Sequence, residues 1–260
     1  MDRCRRMIWK RLKSWRRQRL LEYYALPDAA WSETLRALPL LHRLNAEEQQ
    51  RLRELTTLFL HEKDVQGAAG YLLKPDVSLK IAAQACLPIL NLGLEYYAGW
   101  VSIIVYPNEF IPEREYVDEA GVVHVVRDAM IGESWERGPV ILSAADAERS
   151  GNIDGVNVVI HEFAHKLDML NGPADGFPPL HAEMSRTAWS AAFGSAYEDF
   201  CGRVDAGEET AIDPYAAESP AEFFAVMSEA FFELPRVLQQ EYPNVYRQLA
   251  TFYRQDPAVG

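Results

Sequence analysis

Apolar positions follow a helical spacing along most of this chain, interrupted by a middle region where they run together or alternate as in strands. Residues 46–63 place Leu52, Leu55, Phe59 and Leu60 on one face of an amphipathic helix, with Asn45 as its N-cap. His61 falls at the end of that helix, where the dipole favours a basic side chain. Residues 78–97 form a second, more apolar helical region that Pro88 breaks or kinks. The pattern then changes. Residues 100–106 are rich in β-branched side chains and stop at Pro107, and 122–126 and 139–142 read as two further short strands. His124, in the middle strand, is expected to face outward or to be satisfied locally.

Helical spacing returns over 158–168, stops at Asn171-Gly172-Pro173, and resumes over 180–201. After an acidic connection over 202–213, Ser219 opens a helix through Phe223, Phe224, Val226, Met227 and Phe231, which Pro235 closes. An aromatic helical tail over 237–253 packs back on the domain. The pattern therefore predicts an α+β protein, mainly helical, with a small mixed sheet ahead of the 158–168 helix.

That helix carries the chemistry. It reads His161-Glu162-Phe163-Ala164-His165, and the four-residue step stacks His161 and His165 on one face. Two imidazoles so placed can grip one metal ion, and zinc suits them because a catalytic zinc takes three protein ligands and leaves a position for water. Glu162 is then the general base, taking a proton from water and delivering it to a leaving amine. Lys166, a charge beside the second histidine, is less usual for such a helix.

Composition narrows the setting. The net charge of −12 hides an asymmetry: residues 1–19 carry nine Lys or Arg against Asp2 alone, so the remainder holds 17 basic and 37 acidic side chains, a net −20. A body so acidic argues against direct nucleic-acid binding. Cys4, Cys86 and Cys201 are odd in number and far apart, which fits a reducing cytoplasm rather than a disulfide framework. Residues 1–19 lack the apolar stretch of a secretory signal, and no apolar run is long enough to predict a membrane span. Ile8, Leu12 and Trp15 share one face among the arginines, the pattern either of a segment lying on an anionic surface or a partner, or of a solvated terminal helix.

A third ligand must come from elsewhere. Positions 168 and 171 are Asp and Asn, which excludes the longer motif ending in a third histidine. Glu183 and Glu222 stand as equal candidates, and Ser219-Pro220-Ala221-Glu222 is also a capping-box pattern that accounts for Glu222 without a metal. Glu229 lies on the same helix face and is a supporting or reserve ligand.

The strings 160–168 (IHEFAHKLD), 215–226 (YAAESPAEFFAV), Ser228-Glu229, 86–94 (CLPILNLGL) and 104–107 (IVYP) resemble the Mlc titration factor A family of zinc peptidases, over about residues 31–257. The resemblance implies a zincin-like metallopeptidase domain over 31–257, in one body or two lobes about the metal cleft, with a fold similar to the catalytic domain of anthrax lethal factor. Residues 1–30 are then a basic N-terminal extension. It implies Zn2+ held by His161, His165 and Glu222, with Glu162 and Tyr215 catalytic, Tyr215 as donor to the oxyanion, and Asp168 as a candidate partner of a ligand histidine. It further implies a cytoplasmic, aminopeptidase-type enzyme acting on peptides and a transcriptional repressor as partner; the alternative is a mainly non-catalytic protein that sequesters such a repressor.

Overall fold

The computed structural model describes residues 15–107, 113–117, 123–127, 132–134 and 138–259, the segments between 113 and 134 by their backbone alone. A helix over 15–23 (α1) leads to Asp28–Ala37 (α2), whose Trp31 is buried. Ala46–Glu62 (α3) begins where predicted. Asn45 Oδ1 accepts from the backbone N–H groups of Glu47 and Glu48, and Glu48 returns the bond to Asn45 N, a complete capping box. Leu52, Leu55 and Phe59 are buried, Leu60 only partly, and exposed His61 stacks on Tyr24 with ring centroids 4.6 Å apart. After Asp64–Gly67 (β1) comes Pro75–Cys86 (α4), with Pro75 in its first turn. The helical region expected over 78–97 thus ends ahead of Pro88, and only the 3-10 turn Leu94–Tyr97 follows.

Ser102–Tyr106 (β2), Glu113–Val117 (β3), Val123–Arg127 (β4), Gly132–Ser134 (β5) and Val140–Ser143 (β6) make up the remaining strands. One sheet has the order β1-β2-β6-β5, with β1, β2 and β6 parallel and β5 antiparallel at one edge; β3 and β4 pair antiparallel. The small mixed sheet is therefore present, although β1, β3 and β5 did not stand out in the sequence. His124 lies opposite Tyr116 in the β3–β4 pair, where the side chains fall outside the described residues.

Ser143 caps Ala144–Arg149 (α5), and a loop then delivers the chain to Val158–Asp168 (α6). Next come Arg186–Asp205 (α7), Pro220–Glu233 (α8), Pro235–Glu241 (α9) and Pro243–Tyr253 (α10). The helix predicted over 180–201 starts later because Ser185 caps it, accepting from Ala188 N at 3.2 Å, and it runs on through Gly202. Pro243 divides the predicted 237–253 tail in two.

The core holds α6 between the sheet side and α8. Phe163 packs against Phe59, Tyr97 and Trp100 at ring-centroid distances of 5.7, 5.0 and 5.7 Å. On the other side Phe223, Phe224, Phe231 and Phe232 bury most of α8. Burial of each such ring contributes about 2–3 kcal/mol, so the helices bearing the candidate site are tightly fixed. Gly176 clamps their ends. At φ +78° it donates from N to Asp168 Oδ2 at 2.7 Å, and a Cβ there would sit 2.4 Å from Pro220 O. Leu20, Leu21 and Leu26 pack partly on the core while Trp15 is exposed; Ile8 and Leu12, its expected face-mates, lie outside the described residues. Cys86 and Cys201 are free thiols. No helix among the described residues is long and apolar enough to cross a membrane.

Candidate metal centre

Asn157 starts the motif helix by accepting from Ile160 N at 3.0 Å, and the 3.6-residue turn then aligns His161 and His165. Their Nε2 atoms are 3.1 Å apart. Glu222, in the first turn of α8, brings Oε2 to 3.0 Å from His161 Nε2 and 3.4 Å from His165 Nε2. These three side chains are, among the described residues, the group of His, Cys, Asp or Glu spaced to hold an ion. The two readings of Glu222 also separate here. Ser219 Oγ accepts from Glu222 N at 3.2 Å, half of a capping box, while the Glu222 carboxylate turns to the histidines. Glu183 is exposed, pairs with Arg254 at 2.9 Å and takes no part.

Three features fit this cluster to a divalent ion. Ligands about 2.0 Å from a tetrahedral centre lie about 3.3 Å from one another, close to the three separations above. Glu222 Oε2 is buried and, among the described residues, has no hydrogen-bond partner despite its two close nitrogens. Glu229 Oε1 lies 2.7 Å from His161 Nδ1 and accepts its proton, so Nε2 is the nitrogen that would lose its proton to an incoming cation. Burial opposes charge on His161, but Glu229, followed by Glu222 and Glu162, holds its pKa well above the ordinary value. Burial likewise acts to raise the Glu222 carboxyl, but the two imidazoles hold it well below the usual range. The site is built to surround positive charge.

Glu162 is 2% exposed and its Oε2 has no hydrogen-bond partner among the described residues. Burial, reinforced by Glu222 and Glu229 and offset by the histidines, pushes its pKa up to about 7. Tyr215 lies in the turn before α8, half exposed, its ring centroid 6.0 Å from that of His161. Burial, then the charge of Glu222 and Glu162, raises its phenol to about 12, so it stays a donor at neutral pH. Asp168 is not bonded to an imidazole. Its Oδ2 accepts from Gly176 N, its Oδ1 has no hydrogen-bond partner among the described residues, and burial raises its pKa to about 6. Lys166 turns behind the helix, donating to Gly138 O at 3.0 Å; burial lowers it to about 8.

The sequence profile of the glucose-regulated metallo-peptidase M90 family matches residues 12–254. The chain belongs to this family. Among similar M90 proteins, Mlc titration factor A of Yersinia enterocolitica is 40% identical over 232 residues, covering 88% of this chain and 86% of its own. That of Cronobacter sakazakii is 40% identical over 237 residues, with 90% and 89% covered, and that of Escherichia fergusonii 39% over 231, with 88% and 87%. Membership makes the chain a metallopeptidase by family, and the His161, His165 and Glu222 cluster provides a place for the metal.

The M90 chain also builds a support that the motif did not reveal. Asn157 Nδ2 donates to Gln84 Oε1 at 2.8 Å and to Glu233 Oε1 at 2.7 Å, while Asn157 N donates to Glu229 Oε2 at 2.5 Å. All four side chains are buried, and Glu229 in turn holds His161. Their signals were present: Glu222, Glu229 and Glu233 recur at i, i+7 and i+11 along one face of a Phe-rich helix. Acids in such surroundings need partners.

Proposed function

We propose that this protein is a zinc-dependent peptidase of aminopeptidase type, in which His161, His165 and Glu222 hold the ion. The observation that carries this is the convergence of His161 Nε2, His165 Nε2 and Glu222 Oε2 to within 3.0–3.4 Å of one another. Zinc bound there supplies a Lewis acid that acidifies water and polarises a carbonyl. The chain's own residues do the rest. Glu162, with a pKa near neutrality, takes a proton from the attacking water and passes it to the leaving amine. Tyr215 donates its O–H to the carbonyl oxygen as that atom gains charge. Glu229 fixes the His161 tautomer. The peptide lies along β5, an edge strand packed against α6, and borrows its backbone hydrogen bonds. The zincin-like domain spans 31–257, residues 1–30 are an extension, and the enzyme works in the cytoplasm.

Glu162→Gln tests the mechanism. The variant should keep stoichiometric zinc and lose peptide hydrolysis; hydrolysis at the wild-type rate by zinc-loaded Glu162→Gln excludes Glu162 as the base. A second reading rests on the relatives, whose name speaks of titrating Mlc. We infer that this chain also binds a transcriptional repressor through its acidic body, whose net charge of −20 beyond residue 19 suits a DNA-binding protein. Affinity capture with Glu162→Gln as bait should then recover a repressor, in a salt-sensitive complex.

A further inference from the structure

A cavity of about 560 Å3 opens where the Pro39–Leu41 turn and the loop ahead of α6 meet the junction of α8 and α9. Its walls include Leu40, Ile153, Leu234 and Val237, with three charged side chains, Arg43, Glu233 and Arg236. Glu233 is 2% exposed; Asn157 occupies Oε1, and among the described residues Oε2 has no hydrogen-bond partner. Arg43 donates from Nη1 to Phe232 O, its guanidinium carbon 5.7 Å from the centre of the Phe232 ring, and its Nη2 likewise has no partner among the described residues. A buried charged atom without a hydrogen bond is costly, and here the residues that carry such a donor and such an acceptor both line one cavity, the two atoms lying just beneath its surface.

We propose that this cavity is a binding site for a zwitterionic apolar amino acid such as leucine. The carboxylate accepts from Arg43 Nη2, the ammonium donates to Glu233 Oε2, and the aliphatic chain lies on Leu40, Ile153, Leu234 and Val237. Each wall excludes a different rival. Glu233 repels a simple anion, Arg43 and exposed Arg236 repel a simple cation, and the apolar lining gives a polyol few partners. Both unpartnered atoms are closed to water, so the ligand enters as Arg43 swings about the Nη1 bond to Phe232. Asn157 and Glu229 stand between Glu233 and His161, and leucine binding here needs no peptidase activity.

The test is a titration of methyl-labelled, zinc-loaded protein with L-leucine, followed by NMR. The methyl signals of Ile153, Leu234 and Val237 should shift and saturate. L-Leucinamide, which lacks the carboxylate, and N-acetyl-L-leucine, which lacks the ammonium, should each bind about tenfold or more weakly. Arg43→Met should weaken leucine binding to a similar degree, and Val237→Trp, which fills the cavity and leaves Arg43 and Glu233 in place, should abolish it. Equal binding of leucine and either blocked analogue overturns the proposal, as does unchanged binding by Val237→Trp. So does a set of shifts produced by sorbitol but not by leucine.

Discussion

Asn157→Ala separates two accounts of how the motif helix is held. If packing alone fixes α6, losing a small amide matters little; if the buried polar network fixes it, the loss is large. Alanine keeps the backbone N–H on Glu229 Oε2 but removes three side-chain bonds, at 3.0 Å from Ile160 N, 2.8 Å to Gln84 Oε1 and 2.7 Å to Glu233 Oε1. Loss of the cap costs about 1 kcal/mol. Gln84 and Glu233, 0% and 2% exposed, then each lose a donor, at about 1–3 kcal/mol apiece. The sum, about 3–7 kcal/mol, is a large part of the roughly 5–15 kcal/mol that keeps a domain folded. Urea unfolding of the metal-free protein measures it without the stabilisation a bound ion adds. Asn157→Ser should recover the cap, about 1 kcal/mol. Asn157→Asp should do no better than alanine, since it sets a carboxylate against the Gln84 and Glu233 oxygens. A cost below about 1 kcal/mol for Asn157→Ala, or a wild-type midpoint for Asn157→Asp, refutes the network account.

Three further outcomes are expected. Glu229→Gln removes the negative partner of His161 Nδ1, so zinc affinity measured by chelator competition should fall about 10–100-fold; an unchanged affinity rejects that role. Glu162 is a base only when deprotonated, so hydrolysis should decline as pH falls through its pKa, at about 7 or lower once a cation adds positive potential. A rate that stays flat from about pH 8 to about pH 5 contradicts this. Asp168 has its pKa raised from 3.8 to about 6 by burial, so the folded state binds the proton more tightly than the unfolded. Its carboxylate therefore costs stability above pH 6, and the cost disappears as pH falls towards 3.8. Asp168→Asn, which retains an acceptor for Gly176 N, should raise the midpoint at neutral pH by up to about 3 kcal/mol in stability and flatten the acid-side profile; a lower midpoint counts against it.

Local signals in the chain carried much of this architecture. The α3 helix and its cap follow from Asn45 and the leucine spacing, and α8 from Ser219 and Pro235, because periodicity and capping act over a few residues. Strand β1, Asp64–Gly67, has no apolar run of its own and exists because it pairs with β2, which a local pattern does not express. At the site, the His161 and His165 pair was legible from spacing, whereas residues alone left Glu183 and Glu222 equal. Only the packing of α8 on α6 decides which carboxylate arrives there. The Gln84, Asn157 and Glu233 bonds span 73 and 76 residues of sequence and depend on the same packing.

Gly176 has a consequence beyond its own turn. Its missing side chain lets the end of one ligand-bearing helix touch the start of the other, with Asp168 on one flank and Pro220 on the other. Any larger residue there acts as a wedge, prising Glu222 from the histidine pair without altering any of those three side chains. The obstacle such a residue meets is the backbone carbonyl of Pro220, which every amino acid at 220 would keep, so no substitution opposite it can make room.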